Sequence, residues 1–200
     1  MTSRSELLEQ MTVDLPEQTV GDYTIRRLVA RAGTLESHVA DLVGRPVPPG
    51  TRYTSLAVGD IVWMADIPPE REDHLPVATE IDSRKGRVLI AGLGIGMILR
   101  SAILSGAERV DVLEVDQTII DMVAPHYLSL AAEHNVDVRV FHVDVSDHLP
   151  AVDDRWTVAW FDVWEGVHDY RHDEQRLRDR FGPHADWVGF WGENWQGMAW

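Results

Sequence analysis

The chain contains no cysteine, which excludes disulfide bonds and thiol catalysis. It has no apolar run approaching the ~18 residues that a membrane-spanning helix needs. Nor does it carry a charged-then-apolar leader with a small-residue cleavage site. These absences lead us to expect a cytoplasmic protein with no membrane partner. Basic residues are scarce: Lys and Arg total 18 against 33 Asp and Glu, a formal net charge of −15. Such a surface repels phosphate backbones, so nucleic acid is not expected among the partners, and cationic partners such as amines are mildly favoured. No G-x-S-x-G elbow and no phosphate-cradling G-K-[ST] is present, so acyl and phosphoryl transfer have no footing. The 200 residues suffice for one sizeable core with room for an appendage.

What is present is concentrated in residues 87–116, RVLIAGLGIGMILRSAILSGAERVDVLEVD. An apolar run, Val88 to Ala91, enters a glycine turn, Gly92-Leu93-Gly94-Ile95-Gly96. An apolar helical stretch follows, then a second strand with Glu114 near its end. This is the strand–turn–helix–strand unit that holds an adenosine in doubly wound sheets. The glycines let backbone approach a ligand closely, and the helix start offers unpaired N–H groups. A carboxylate ending the second strand can accept both ribose hydroxyls. A dinucleotide site would want glycine at position 97, where this chain has Met97. The G-x-G-x-G spacing with an acid 18 positions beyond the last glycine suits S-adenosylmethionine (SAM) instead. Residues 136–143, VDVRVFHV, alternate as a strand should, and Asp144 follows. Asp144 can accept from the adenine amine or cap the next short helix, with Ser146 and Asp147 as competing caps.

Around this unit the first ~20 residues read as polar and frayed, with one short helix at 5–11. Strands are expected at 23–30, 53–58 and 61–65, the last two joined through Gly59-Asp60, with helices at 34–42 and 70–81. Core strands are expected at 87–92, 109–115, 136–143, 157–163 and 186–190. Helices are expected at 97–105, 117–131 and 172–181, with Pro125 kinking or breaking the second. The expected fold is therefore α/β, a Rossmann-like, doubly wound, mostly parallel sheet in residues 85–200, with a small antiparallel appendage and linking helix in 1–84. Trp156, Trp160 and Trp164 would share a face of the fourth strand. The Trp-rich tail, Trp187 to Trp200, offers a contact for a homodimer.

The order of these motifs resembles spermidine synthase-like proteins of the class I SAM-dependent methyltransferase superfamily. VLIAGLGIG, VLEVD, the strand-end Asp144 and AWFDVWEG carry the resemblance, over about residues 50–165. It implies that Gly92, Gly94 and Gly96 pass beneath a SAM or decarboxylated SAM cofactor, that Glu114 holds the ribose and that Asp144 holds the adenine. It further places Asp162 and Glu165 where aminopropyltransferases keep an acidic pair, one to orient an amine and one to take its proton. The chain departs from the pattern at Ile95, where an acid usually binds the cofactor's amine, and at Ile90, where methyltransferases often carry an acid. It also ends soon after the fifth strand, so the fold is expected to be short at that end.

Glu72-Asp73-His74 precedes the core, and His74 is a candidate base over the transferred group. His168 and His172, with Asp169 and Asp173, have the i, i+4 spacing of metal ligands, but the segment reads as a solvated helix and no metal is expected. The leading expectation is a SAM-dependent transferase that methylates a small acceptor, with an amine among the candidates. The alternatives are an aminopropyltransferase acting on a diamine, a SAM-cleaving enzyme, and a non-catalytic module that binds an adenosine cofactor.

Overall fold

A computed structural model describes residues 2–31, 47–163 and 170–193, the side chains of 170–172 excepted. The helix expected at 34–42 lies outside these residues. The amino terminus is not frayed. Ser3 opens α1 (Arg4–Gln10) by accepting from the Glu6 N–H, while the Glu6 side chain accepts from Ser3 N–H at 2.8 Å, a reciprocal capping box. Beyond it Met11, Val13 and Leu15 are buried. Their apolar side chains, together with a bond from Val13 N–H to the Asp66 carboxylate at 2.7 Å, anchor the segment that local polarity suggested would fray.

β1 (Gln18–Val20), β2 (Tyr23–Val29), β3 (Arg52–Val58) and β4 (Ile61–Ala65) form an antiparallel sheet in that order. β3 and β4 close through the two-residue Gly59-Asp60 loop, with Gly59 at φ +59° as that turn requires. Further along, Leu56 pairs with Met64 but Ala57 pairs with Val62, leaving Trp63 as an extra residue in a β-bulge.

The single helix expected at 70–81 is two: α2 (Pro68–Asp73) and α3 (Leu75–Arg84). Pro68 and Pro69 sit within the first turn of α2, where a missing N–H costs nothing. Pro76 supplies no donor back to α2, and the break falls at His74.

β5 (Arg87–Ala91), β6 (Arg109–Glu114), β7 (Asp137–His142), β8 (Val158–Phe161) and β9 (Val188–Phe190) form a parallel sheet ordered β7-β6-β5-β8-β9. The order reverses between β5 and β8, and in doubly wound sheets a ligand lies outside the strand carboxyl ends at such a point. β5 is buried on both faces: Val88 and Ile90 join one core cluster, Leu89 and Ala91 the other. The first cluster also takes in Met11, Leu15, Ile25 and Leu56, so the antiparallel sheet and the parallel sheet share a core. α4 (Met97–Leu104), α5 (Gln117–His134) and α6 (Tyr170–Phe181) complete the described α-helices. Pro125 does not break α5, which runs through it. Met122, Val123, Tyr127 and Ala131 are buried on either side of the proline, and this packing outweighs the lost backbone bond.

The tryptophans of the fourth strand do not share a face. Trp160 packs in the first cluster, whereas Trp156 lies in the second and meets Ala185 through an isolated bridge, before regular alternation begins at Val158. Trp164, Trp195 and Trp200 lie outside the described residues. No helix among them is long and apolar enough to cross a membrane.

Candidate functional site

A cavity of about 350 Å³ opens at the carboxyl ends of the parallel strands. Along the rim stand Asp144 after β7, Glu114 ending β6, the glycine turn after β5, and Asp162 after β8. His74, Gly92, Gly94, Glu114, Asp144 and Asp162 all line this one space. Glu165 lies outside the described residues. Gly96 does not line the cavity: a Cβ there would run into the ring of Tyr127, whose hydroxyl donates to the Ile95 carbonyl at 2.9 Å.

The other two glycines are also held by protein contacts. A Cβ on Gly92 would strike the Asp162 carbonyl, and one on Gly94 would strike the thioether of Met64. The turn therefore answers first to close packing, at φ values of +93°, +48° and +74° that other residues rarely adopt. Strand spacing exposed the glycines in the sequence, but their neighbours come from β8, β4 and α5.

Glu114 is buried, and both carboxylate oxygens already have a donor. One accepts the Leu93 N–H at 2.7 Å and the other the Asp116 N–H at 2.9 Å. The acid thus braces the glycine turn and lines the cavity. Asp144 is exposed and accepts the Ser146 N–H at 2.7 Å, so it caps its own turn and lines the cavity at once. Asp116 was not singled out from the sequence. It caps α5 by accepting from Thr118 N–H at 2.7 Å and Ile119 N–H at 3.3 Å, and it accepts from the Tyr23 hydroxyl. Burial opposes ionisation of Asp116, but the Tyr23 and backbone donors outweigh it and lower its pKa. The same bond raises that of Tyr23. A D following E-V in VLEVD, just before a helix, was the available signal for this cap.

At the β8 end the structure brings together two residues 88 positions apart. His74 Nε2 lies 3.2 Å from Asp162 Oδ2, and Nδ1 lies 2.8 Å from the Glu70 carbonyl oxygen. A carbonyl only accepts, so Nδ1 carries a proton; the carboxylate asks the same of Nε2. Both contacts thus favour the cationic imidazole. Burial pushes its pKa down, but the Asp162 bond and charge and the Glu70 carbonyl outweigh that, and the net direction is up. With both nitrogens engaged, His74 is not placed as a base; it orients Asp162, whose side chain keeps 18% exposure toward the cavity. Trp160 meets the His74 ring edge-on at 5.6 Å, and its buried indole N–H has no partner among the described residues.

Glu114, Asp144, Asp162 and Asp173 give the cavity four carboxylates, while no Lys or Arg among the described residues lines it. Among the described residues no group of three metal-ligating side chains occurs.

No family model matches the chain, and no curated protein matches it. Solved structures do. The Pyrococcus horikoshii protein PH1948, assigned as an RNA methyltransferase, is 23% identical over 61% of this chain and 59% of its own, with a TM-score of 0.45. The 23S rRNA methyltransferase ErmE is 16% identical over 55% of this chain and 42% of its own, at 0.39. A SAM-dependent methyltransferase from Mesorhizobium loti is 21% identical over 56% and 49%, also at 0.39. The chain thus spans about half the length of these proteins, and the likeness is one of fold. The expectation that nucleic acid is excluded as a partner is corrected by this set, which includes two RNA methyltransferases. A net charge sums the whole surface and does not describe the face an acceptor meets, so −15 was no ground for the exclusion.

Proposed function

We propose that this chain is a SAM-dependent transferase that delivers a methyl group to a nucleophile held beside Asp162. The observation that carries the reading is the order of groups along one rim: Asp144, Glu114, the glycine turn, then the Asp162–His74 pair, all around a single cavity. An adenosine laid across it would set adenine at Asp144 and ribose at Glu114. Its 5′ substituent would then lie over Gly92 and Gly94, pointing toward β8. The charge supports this choice of cofactor. Four carboxylates, with no Lys or Arg beside them among the described residues, repel a pyrophosphate and attract a sulfonium.

When bound, SAM would supply an electrophilic methyl group on a cationic sulfur. The chain's own part is positioning. Asp162, locked by His74, orients an incoming N–H or O–H group and takes up its proton as the nucleophile is spent. The Trp160 N–H offers a donor nearby. Such a site can serve a small acceptor or a nucleotide base, provided that the nucleophile reaches the β8 end.

Calorimetric titration with SAM, S-adenosylhomocysteine, decarboxylated SAM and NAD tests this reading. Micromolar-range binding of SAM and S-adenosylhomocysteine, far tighter than NAD, is the expected result. Preference for decarboxylated SAM would redirect the assignment to aminopropyl transfer. Preference for NAD, or no binding at all, would overturn it.

A further inference from the structure

Met64 stands where the 5′ substituent of such a ligand would lie. Its sulfur accepts the Ile95 N–H at 3.1 Å, and its thioether covers Gly94 so closely that no Cβ fits between them. The bulge at Trp63 brings this about. In a regular strand consecutive side chains point to opposite faces, yet Trp63 and Met64 both line the cavity, because the extra residue turns β4 at that point. A thioether is a weak acceptor, and its flexible three-bond stem can be displaced. The Ile95 N–H is thus held by a partner that a carboxylate or other strong acceptor would outcompete.

We infer that Met64 is a displaceable plug over the glycine turn: it leaves room for an adenosine but must swing out before the amino-acid tail of SAM or S-adenosylhomocysteine can seat. This rests on the adenosine reading of the cavity. The resting site discriminates against the tail, and the antiparallel sheet, which plays no part in the adenosine-binding unit itself, becomes the element that controls loading. Ile95, at the position where the resemblance led us to look for an acid, contributes its backbone instead.

The test compares adenosine and S-adenosylhomocysteine binding to the wild-type chain and to Met64→Ala by calorimetry. Removing the plug should tighten S-adenosylhomocysteine by about tenfold, the scale of one net hydrogen bond, and leave adenosine within about twofold. In parallel, the Met64 methyl resonance of ¹³C-methyl-labelled wild-type protein should shift on adding S-adenosylhomocysteine and stay in place with adenosine. Met64→Leu assigns that resonance and retains apolar bulk should alanine cost the fold. Equal or weaker S-adenosylhomocysteine binding in the variant, with adenosine binding intact, would overturn the plug alone. Absence of adenosine binding to either protein would overturn the cavity assignment and the plug with it.

Discussion

Two side chains carry more than one duty at the rim. Glu114 was legible as an acid at the rim because a strand-end acid after a glycine turn is a local pattern. That it also braces the turn was not legible, since the second duty depends on where Leu93 and Asp116 point their N–H groups. Glu114→Ala should therefore destabilise the fold by about 1–3 kcal/mol, by stranding two backbone donors, and should also remove S-adenosylhomocysteine binding. Denaturant unfolding beside calorimetry separates the two; unchanged stability would contradict the brace. The His74–Asp162 pair makes a pH-dependent claim. Because the folded pKa of His74 is raised, its contribution to stability is complete below the unfolded value of about 6.5 and fades as pH rises through the folded value. The melting difference between wild type and Asp162→Asn should accordingly be largest below ~pH 6.5 and shrink as pH rises through the folded value. A difference independent of pH would mean that the imidazole is not held as a cation.

At the scale of elements, the sequence revealed what repeats locally and hid what depends on partners. The alternation of 136–143 and the apolar run of 88–91 located β7 and β5 closely, and Gly59-Asp60 marked its hairpin. The split of one expected helix into α2 and α3 could have been read from Pro76, and the opening of α1 from Ser3 and Glu6. The bulge at Trp63 could not, because IVWMA alternates no differently from a regular strand until its partner β3 is known. The same is true of the contact between Tyr23 of β2 and Asp116 at the head of α5, which ties the antiparallel sheet to the Glu114 side of the cavity. Asp116→Ala removes that tie together with two capping bonds, and should cost about 1–2 kcal/mol in urea unfolding. A loss below a few tenths would mean that the cap is replaced by water.

Across the whole molecule, charge is arranged by the ends of the parallel sheet. The carboxyl ends present Glu114, Asp144 and Asp162 around the cavity, with no Lys or Arg among the described residues lining it. Toward the other end Asp111 is buried among cations, accepting from Arg109 at 2.8 Å, Arg87 at 3.3 Å and the Trp156 indole at 2.9 Å. Asp111 is matched by its cations and Asp162 by His74, whereas Glu114 and Asp144 accept from backbone N–H groups. Asp111→Ala should destabilise by about 3–5 kcal/mol, as expected when a buried charge network loses one partner, without changing ligand affinity. An affinity loss in that variant would show the two ends to be coupled. A net charge of −15 sums the whole surface and says nothing of the face an acceptor meets, and so it misled the expectation about nucleic acid.

The most direct test of the central claim is a crystal structure of the chain with S-adenosylhomocysteine. The adenine should meet Asp144, the ribose hydroxyls Glu114, and the sulfur should lie between the glycine turn and Asp162, with Met64 swung away from Ile95. A ligand lodged elsewhere, or laid across the rim in the reverse order, would contradict the assignment of this cavity.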